Sequence, residues 1–339
     1  MLAWEVGGPA PIADRPLRLV ERPEPVPGPG QVRIAVSVCG VCRTDLHVAE
    51  GDLPPHRAHV VPGHEVVGHV DQLGPGCRRL QVGQRVGAAW LASTCGKCRF
   101  CRSGRENLCT SPRFTGWDID GGYAQYLVAR EDFVYPLSDS FADRSAAPLL
   151  CAGIIGFRAL RRADLPTGGR LGLYGFGGSA HLTAQVAIAE GAIVHVLTRS
   201  EKDKDLARQI GAASVGGAFD RPPEPLDSAI LFAPVGTLVP VALAALDRGG
   251  TLAIAGIHLS DIPELNYQAH LFQERTVRSV TANTRDDGRE FLAVAARTGL
   301  RPTTTIYPFE QANEALWDLA NDGFNGAAVL SVSTAEGRR

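Results

Sequence analysis

Residues 168–200 read GGRLGLYGFGGSAHLTAQVAIAEGAIVHVLTRS: an apolar run, a glycine cluster, a helix-period stretch and a second apolar run. That order within about 30 residues leaves few folds open. LGLY reads as a strand, the residues through Ala189 as a helix, and AIVHVL as a parallel second strand. The turn between them is G-F-G-G-S-A. Gly175, Gly177 and Ala180 fill the three small positions of a G-x-G-x-x-G/A turn, with Gly178 among them. Gly175 permits the sharp turn, and Gly177 lets the backbone approach a pyrophosphate seated on the helix N-terminus. The spacing predicts a dinucleotide-binding unit; a glycine-rich turn in another α/β domain is the plainer alternative.

The end of the second strand bears on which dinucleotide. A unit that takes NAD places an Asp or Glu there, on the ribose hydroxyls, about 20 residues after the glycines. Here the chain reads Thr198-Arg199-Ser200, with no carboxylate before Glu201. A guanidinium between two hydroxyls suits a 2′-phosphate, so NADP(H) is expected in preference to NAD(H). The alternative is that Arg199 is a solvated residue at a helix cap. Strand patterns follow at 226–234, 251–257 and 277–282. Helix patterns follow at 238–250, closed by glycine, and at 286–299, with Gly299 at its end. Alternation of this kind implies a parallel, doubly wound sheet.

The second constraint is CGKCRFCRSGRENLC, residues 95–109. Cys95, Cys98, Cys101 and Cys109 have the close spacing of a four-thiolate structural zinc, a closed tetrahedral shell with no vacancy for chemistry. Lys97, Arg99, Arg102 and Arg105 lie between or beside them and are expected to lower the thiol pKa values. Disulfides and an iron–sulfur cluster are the alternatives that spacing leaves open. Cys42, His64 and Cys151 offer a different set. Three protein ligands and a vacancy define a catalytic zinc, and Cys2His is one known combination. CGVC at 39–42 also reads as a redox pair, and Cys151 in PLLCAGIIGF as a buried apolar thiol. Asp45 and Glu65 stand beside Cys42 and His64 as candidate acceptors for the second imidazole N–H. Thr44 and His47 could pass a proton outward.

Three features stand in order along the chain: CGVCRTDLH with PGHEVVGHV, then CGKCRFCRSGRENLC, then YGFGGSAH. Together they resemble the zinc-dependent alcohol dehydrogenase branch of the medium-chain dehydrogenase/reductase superfamily, over nearly the whole chain. The resemblance implies a GroES-like β-rich catalytic domain at 1–150 and 295–339, with the zinc lobe at 93–111, and a Rossmann domain at 151–294. It implies two zinc ions per chain. The catalytic one would fall on Cys42, His64 and Cys151, the structural one on Cys95, Cys98, Cys101 and Cys109. Thr44 would bond the alcohol oxygen, His47 would complete the relay, and Asp45 and Glu65 would support the ligands. Cys39 and Cys77 match no ligand. The implied site lies in a cleft between the domains, with Leu53, Trp90 and Trp117 as possible pocket walls. The plain reading of those three is as core residues.

The implied activity is interconversion of alcohols and aldehydes or ketones by hydride transfer with NADP(H), weighted toward aldehyde reduction. A polyol or thiol-adduct dehydrogenase of the same fold is the alternative. A weakly active or non-catalytic nucleotide-binding member is another, since the family's Gly-Arg pair before the last strand reads Gly326-Ala327 here. A net charge of −2 argues against a nucleic-acid binder, which needs a basic face. No apolar run approaches a membrane span, and the N-terminus lacks a signal-peptide pattern, so a cytoplasmic protein without membrane partners is expected. A homodimer or homotetramer is expected from the resemblance.

Overall fold

The computed structural model describes residues 1–53 and 56–332. The chain divides into two compact units. The first comprises Met1–Cys151, Ala282–Ala296 and the residues from Pro302 on; the second comprises Ala152–Thr281 and Arg297–Arg301.

The first unit is built on the strand Gln31–Val41. Its alternation buries Val32, Ile34 and Val36 on one face, the period of a half-covered strand. It pairs antiparallel with Glu65–Leu73, Ala327–Ser331 and Tyr126–Arg130 in a seven-stranded sheet. The register decides the chemistry. Cys39 faces Val66 and Gly40 faces Glu65, so Cys42, just past one strand, and His64, just before the other, meet at the same sheet end. Gly40 is needed there: an added Cβ would lie 1.8 Å from Glu65 Oε2.

The second unit is a six-stranded sheet, parallel throughout. Its order is Ser214–Gly216, Ile193–Leu197, Arg170–Tyr174, Leu226–Leu231, Leu246–Ile254, Thr276–Ser279. Numbered along the chain that is 3-2-1-4-5-6, the doubly wound order whose switch point lies between the first and fourth strands. The helix Gly178–Ala189 follows the first strand as the glycine turn requires.

Three sequence expectations are corrected here. The helix expected at 238–250 ends at Ala245, and Leu246–Ile254 is a strand instead. Leu246 pairs with Leu226, and the next matched pair is Thr251 with Ser228, so residues 247–250 are taken up in a register shift. Gly249, at φ +72°, serves that irregularity rather than a helix cap. The strands expected at 226–234, 251–257 and 277–282 are displaced or shortened to the bounds above. Residues 282–294, expected in the nucleotide domain, belong to the first unit. The physical reason is the Arg285 side chain, which grips Glu106 there with contacts of 2.7 to 3.1 Å. Among the described residues no helix is long and apolar enough to cross a membrane.

Candidate functional site

The short helix Arg43–Glu50 begins at Cys42, and its first turn is closed by the Asp45 carboxylate, which reaches back to the Cys42 backbone N–H. Asp45 has almost no exposed surface and accepts from several donors. Oδ1 takes the Gly63 N–H at 3.0 Å and the His64 Nδ1–H at 2.8 Å. Oδ2 takes the Cys42 N–H at 3.0 Å and the Tyr123 hydroxyl at 3.4 Å. One carboxylate thereby fixes both loops that carry ligands. With Nδ1 committed to Asp45, His64 Nε2 is the free ring nitrogen; it is buried and meets no hydrogen-bond partner among the described residues.

Around that nitrogen stand Cys42, Cys151 and Glu65. The ligand atoms of the four residues all lie within 4.8 Å of one another. The Cys151 thiol hydrogen-bonds Cys42 and, against the cost of burial, holds the Cys42 pKa well below the ordinary thiol value. Burial works against an imidazolium at His64, but Asp45 outweighs it and raises the pKa. The half-buried Cys42 and Cys151 thiols stand beside the buried Asp45 and Glu65 carboxylates, a set of anion-forming groups whose charge a divalent cation would offset. The donor set, two sulfurs and one imidazole, suits zinc. Of the two carboxylates expected to support His64, Asp45 accepts its Nδ1–H, and Glu65 brings a carboxylate oxygen within 4.8 Å of the Cys42, His64 and Cys151 donor atoms.

Thr44 Oγ1 lies 3.9 Å from Cys42 Sγ, and His47 Nδ1 lies 2.7 Å from Asp52 Oδ2. The His64 ring meets Trp90 edge-on at 5.0 Å. Phe114 and Trp117 stack beyond it, 4.8 and 6.1 Å from Trp90, and His56 stacks on Trp117 at 3.9 Å. Trp90 and Trp117 thus belong to one aromatic row that starts at the metal group. Leu53 is partly buried and packs on the core of the first unit. Phe114, His56 and Tyr123 carried no sequence signal; each is placed by a partner distant in the chain.

The second cysteine group is compact. The ligand atoms of Cys95, Cys98, Cys101 and Cys109 lie within 4.8 Å of one another, with the Cys98 and Cys101 sulfurs 3.5 Å apart. Backbone N–H groups of Cys95, Cys98, Cys101 and Ser111 point at the sulfurs from 3.3 to 3.5 Å. The backbone N–H groups of Cys101 and Thr110, and not the basic side chains expected to do so, lead in lowering the Cys98 pKa to about 6. Arg99 and Arg105 lie over the Phe100 ring, and Arg102 bonds the Lys97 carbonyl.

In the second unit Gly175 has φ +87°, and a Cβ there would meet the Ala233 nitrogen at 2.9 Å. The glycine turn thus runs against the end of the fourth strand, at the switch point. Gly177 caps the helix that starts at Gly178, and an added Cβ on it would meet open space. Ala180 is buried. Thr198 is buried with its hydroxyl 3.4 Å from Asp203, and Ser200 caps the helix Glu201–Ile210 by accepting from the Asp203 N–H. Arg199, between them, is exposed. Both hydroxyls expected to serve a 2′-phosphate therefore have intramolecular roles already.

Residues 28–139 match the family model described as the alcohol dehydrogenase GroES-like domain. The chain is 58% identical over 337 residues to a probable alcohol dehydrogenase of Mycobacterium tuberculosis, AdhA, covering 98% of this chain and 97% of the relative. A solved cinnamyl alcohol dehydrogenase from Sorghum bicolor superposes with a TM-score of 0.88 at 27% identity, covering 97% of each chain. An acetophenone reductase from Geotrichum candidum, solved in complex with NAD, gives a TM-score of 0.88 at 26% identity over 98% of this chain and 97% of its own.

Proposed function

This chain belongs to the zinc-type alcohol dehydrogenases of the medium-chain dehydrogenase/reductase superfamily, and from that premise we propose that it reduces aldehydes of moderate size with NADPH. The observation that carries the site is the close group of half-buried Cys42 and Cys151 and buried His64, with the His64 ring fixed by Asp45 and its other nitrogen unbonded. A zinc ion held there supplies a Lewis acid for the substrate oxygen. A second zinc on Cys95, Cys98, Cys101 and Cys109 has a structural role, since four thiolates leave no open position.

The residues of the chain do the rest. Thr44, beside Cys42, accepts the hydrogen bond of the alcohol hydroxyl, or donates to the developing hydroxyl in the reverse direction. His47 exchanges that proton with solvent, and Asp52 holds its ring in place through Nδ1. Asp45 keeps His64 in one tautomer, and Glu65 adds a carboxylate to the ligand group. The row from Trp90 through Phe114 to Trp117 supports a flat apolar wall for the substrate's carbon skeleton. Gly175, Gly177, Gly178 and Ala180 receive the pyrophosphate, and Arg199 meets the 2′-phosphate. The dinucleotide supplies the hydride donor or acceptor.

The test is oxidation of NADPH and of NADH in parallel with a panel of aliphatic and aromatic aldehydes. Faster turnover with NADPH supports the reading. Turnover with NADH alone would remove the cofactor assignment and leave the enzyme assignment standing.

A further inference from the structure

We propose that Tyr123 is a positioning residue for the metal held by Cys42, His64 and Cys151, acting through the Asp45 carboxylate. The inference rests on the reading of that group as the reactive zinc site. Tyr123 is fully buried and lies 78 residues from Asp45 in sequence. A carboxylate has room for about four hydrogen bonds. Asp45 uses four, and three of them go to the ligand loops themselves, to Cys42 N–H, Gly63 N–H and His64 Nδ1–H. The fourth, from the Tyr123 hydroxyl at 3.4 Å, ties Asp45 to a residue outside both loops.

Tyr123 is itself held rigidly. Its N–H donates to the Pro62 carbonyl at 3.0 Å, and its carbonyl accepts from the Trp4 N–H at 2.8 Å. Its ring lies against Gly63, where an added Cβ would come within 2.4 Å of Cδ1. Gly63, at φ +98°, gives His64 its approach and leaves the ring its space. The phenol must donate, because the carboxylate can only accept. Added to the three shorter bonds, it helps hold the carboxylate in the plane that faces Oδ1 to the His64 N–H. Without the hydroxyl, Oδ2 keeps one donor in a site closed to water, and the carboxylate can rotate away from His64. The ring orientation of His64 and its basicity toward a metal then relax together.

The test is Tyr123→Phe in the full-length holoprotein. Zinc per chain is measured first, then the rate at which each zinc passes to a chromogenic chelator. Cys42→Ser identifies the phase that belongs to the reactive site, and Cys98→Ser the phase of the lobe. We expect the reactive-site zinc of Tyr123→Phe to leave about 10-fold faster, the low end for a supporting group, because the contact is long. The lobe zinc should keep its rate and the thermal midpoint should stay near that of wild type. Cobalt substituted into the reactive site should show shifted visible bands in the variant, with those of the lobe unchanged. Equal release rates in variant and wild type overturn the proposal. So does parallel acceleration of both zincs with a lowered midpoint, which marks a merely structural tyrosine. Tyr123→Met, which keeps bulk without the hydroxyl, carries the same test if the first variant does not fold. A wild-type protein with a single zinc overturns the site reading and the proposal together.

Discussion

Replacing Arg285 by Met should destabilise the first unit by about 3 kcal/mol, and the structure gives the reasons. The guanidinium donates to Glu106 from Nη2 at 2.7 Å and from Nε at 3.0 and 3.1 Å, and the Arg285 backbone N–H adds a bond of 2.7 Å. It also lies 4.3 Å from the Phe133 ring and reaches the Asp132 carbonyl at 3.3 Å. Glu106 is buried, so removing its cation leaves an unpaired carboxylate, a loss that runs to about 3–5 kcal/mol in dry sites. The Arg285 side chain keeps 27% of its surface exposed, and that places the expected loss at the lower end. In a unit of this size the midpoint should fall by about 6–12 °C. Adding Glu106→Gln to Arg285→Met should recover most of it, since the orphaned charge is then gone. Burial opposes ionisation of Glu106, but the Arg285 hydrogen bonds outweigh it and hold the carboxyl below the ordinary Glu value. The stabilisation is therefore full above the unfolded Glu pKa of about 4.3 and is lost as pH falls through the folded value. Thermal scans of wild type, both single variants and the double variant at pH 7 read the loss and its recovery, and the same scans carried down through about pH 4 read the pH dependence. A single variant Arg285→Met with an unchanged midpoint would refute the reasoning.

Three further outcomes follow from the second unit. His181 is fully buried, and burial lowers its pKa to about 4, so it stays neutral when folded. Protons then favour the unfolded chain between about pH 6.5 and 4, and wild type should lose up to about 3 kcal/mol more than His181→Leu as pH falls across that window, read by denaturant unfolding. Arg199→Ala should raise the KM for NADPH about 10-fold or more, the worth of a charge-assisted bond, and leave that for NADH near its starting value. Equal changes for both cofactors would argue against a 2′-phosphate contact. Gly175→Ala places a Cβ 2.9 Å from the Ala233 nitrogen at a φ of +87°. It should cost about 1–3 kcal/mol and weaken cofactor binding, measured by fluorescence titration.

What the sequence makes legible has a physical pattern. Candidate ligands close in the chain, such as Cys95, Cys98, Cys101 and Cys109, announce themselves because a metal shell would constrain their spacing. The glycine turn is legible because only glycine tolerates Gly175's conformation beside Ala233. Cys151 joins Cys42 and His64 from far along the chain, and family resemblance rather than spacing pointed to it. Glu65 reads as a neighbour of His64, but its closeness to Cys42 and Cys151 depends on how Gly40 and Glu65 face each other across two strands. The strand Leu246–Ile254 is legible only in its later half, as the pattern at 251–257; its start at Leu246 reads as the end of a helix, and the pairing of Leu246 with Leu226 across a register shift decides otherwise. Tyr123, Phe114 and Arg285 act through partners that no local pattern connects.

The central claim is that Cys42, His64 and Cys151 hold the reactive zinc, apart from the zinc of the lobe. Its most direct measurement is zinc per chain by atomic emission on wild type and Cys151→Ser, with NADPH-linked aldehyde reduction on the same samples. Two zincs and turnover are expected in wild type, and one zinc without turnover in the variant. A Cys151→Ser protein that keeps both zincs and wild-type turnover would contradict it.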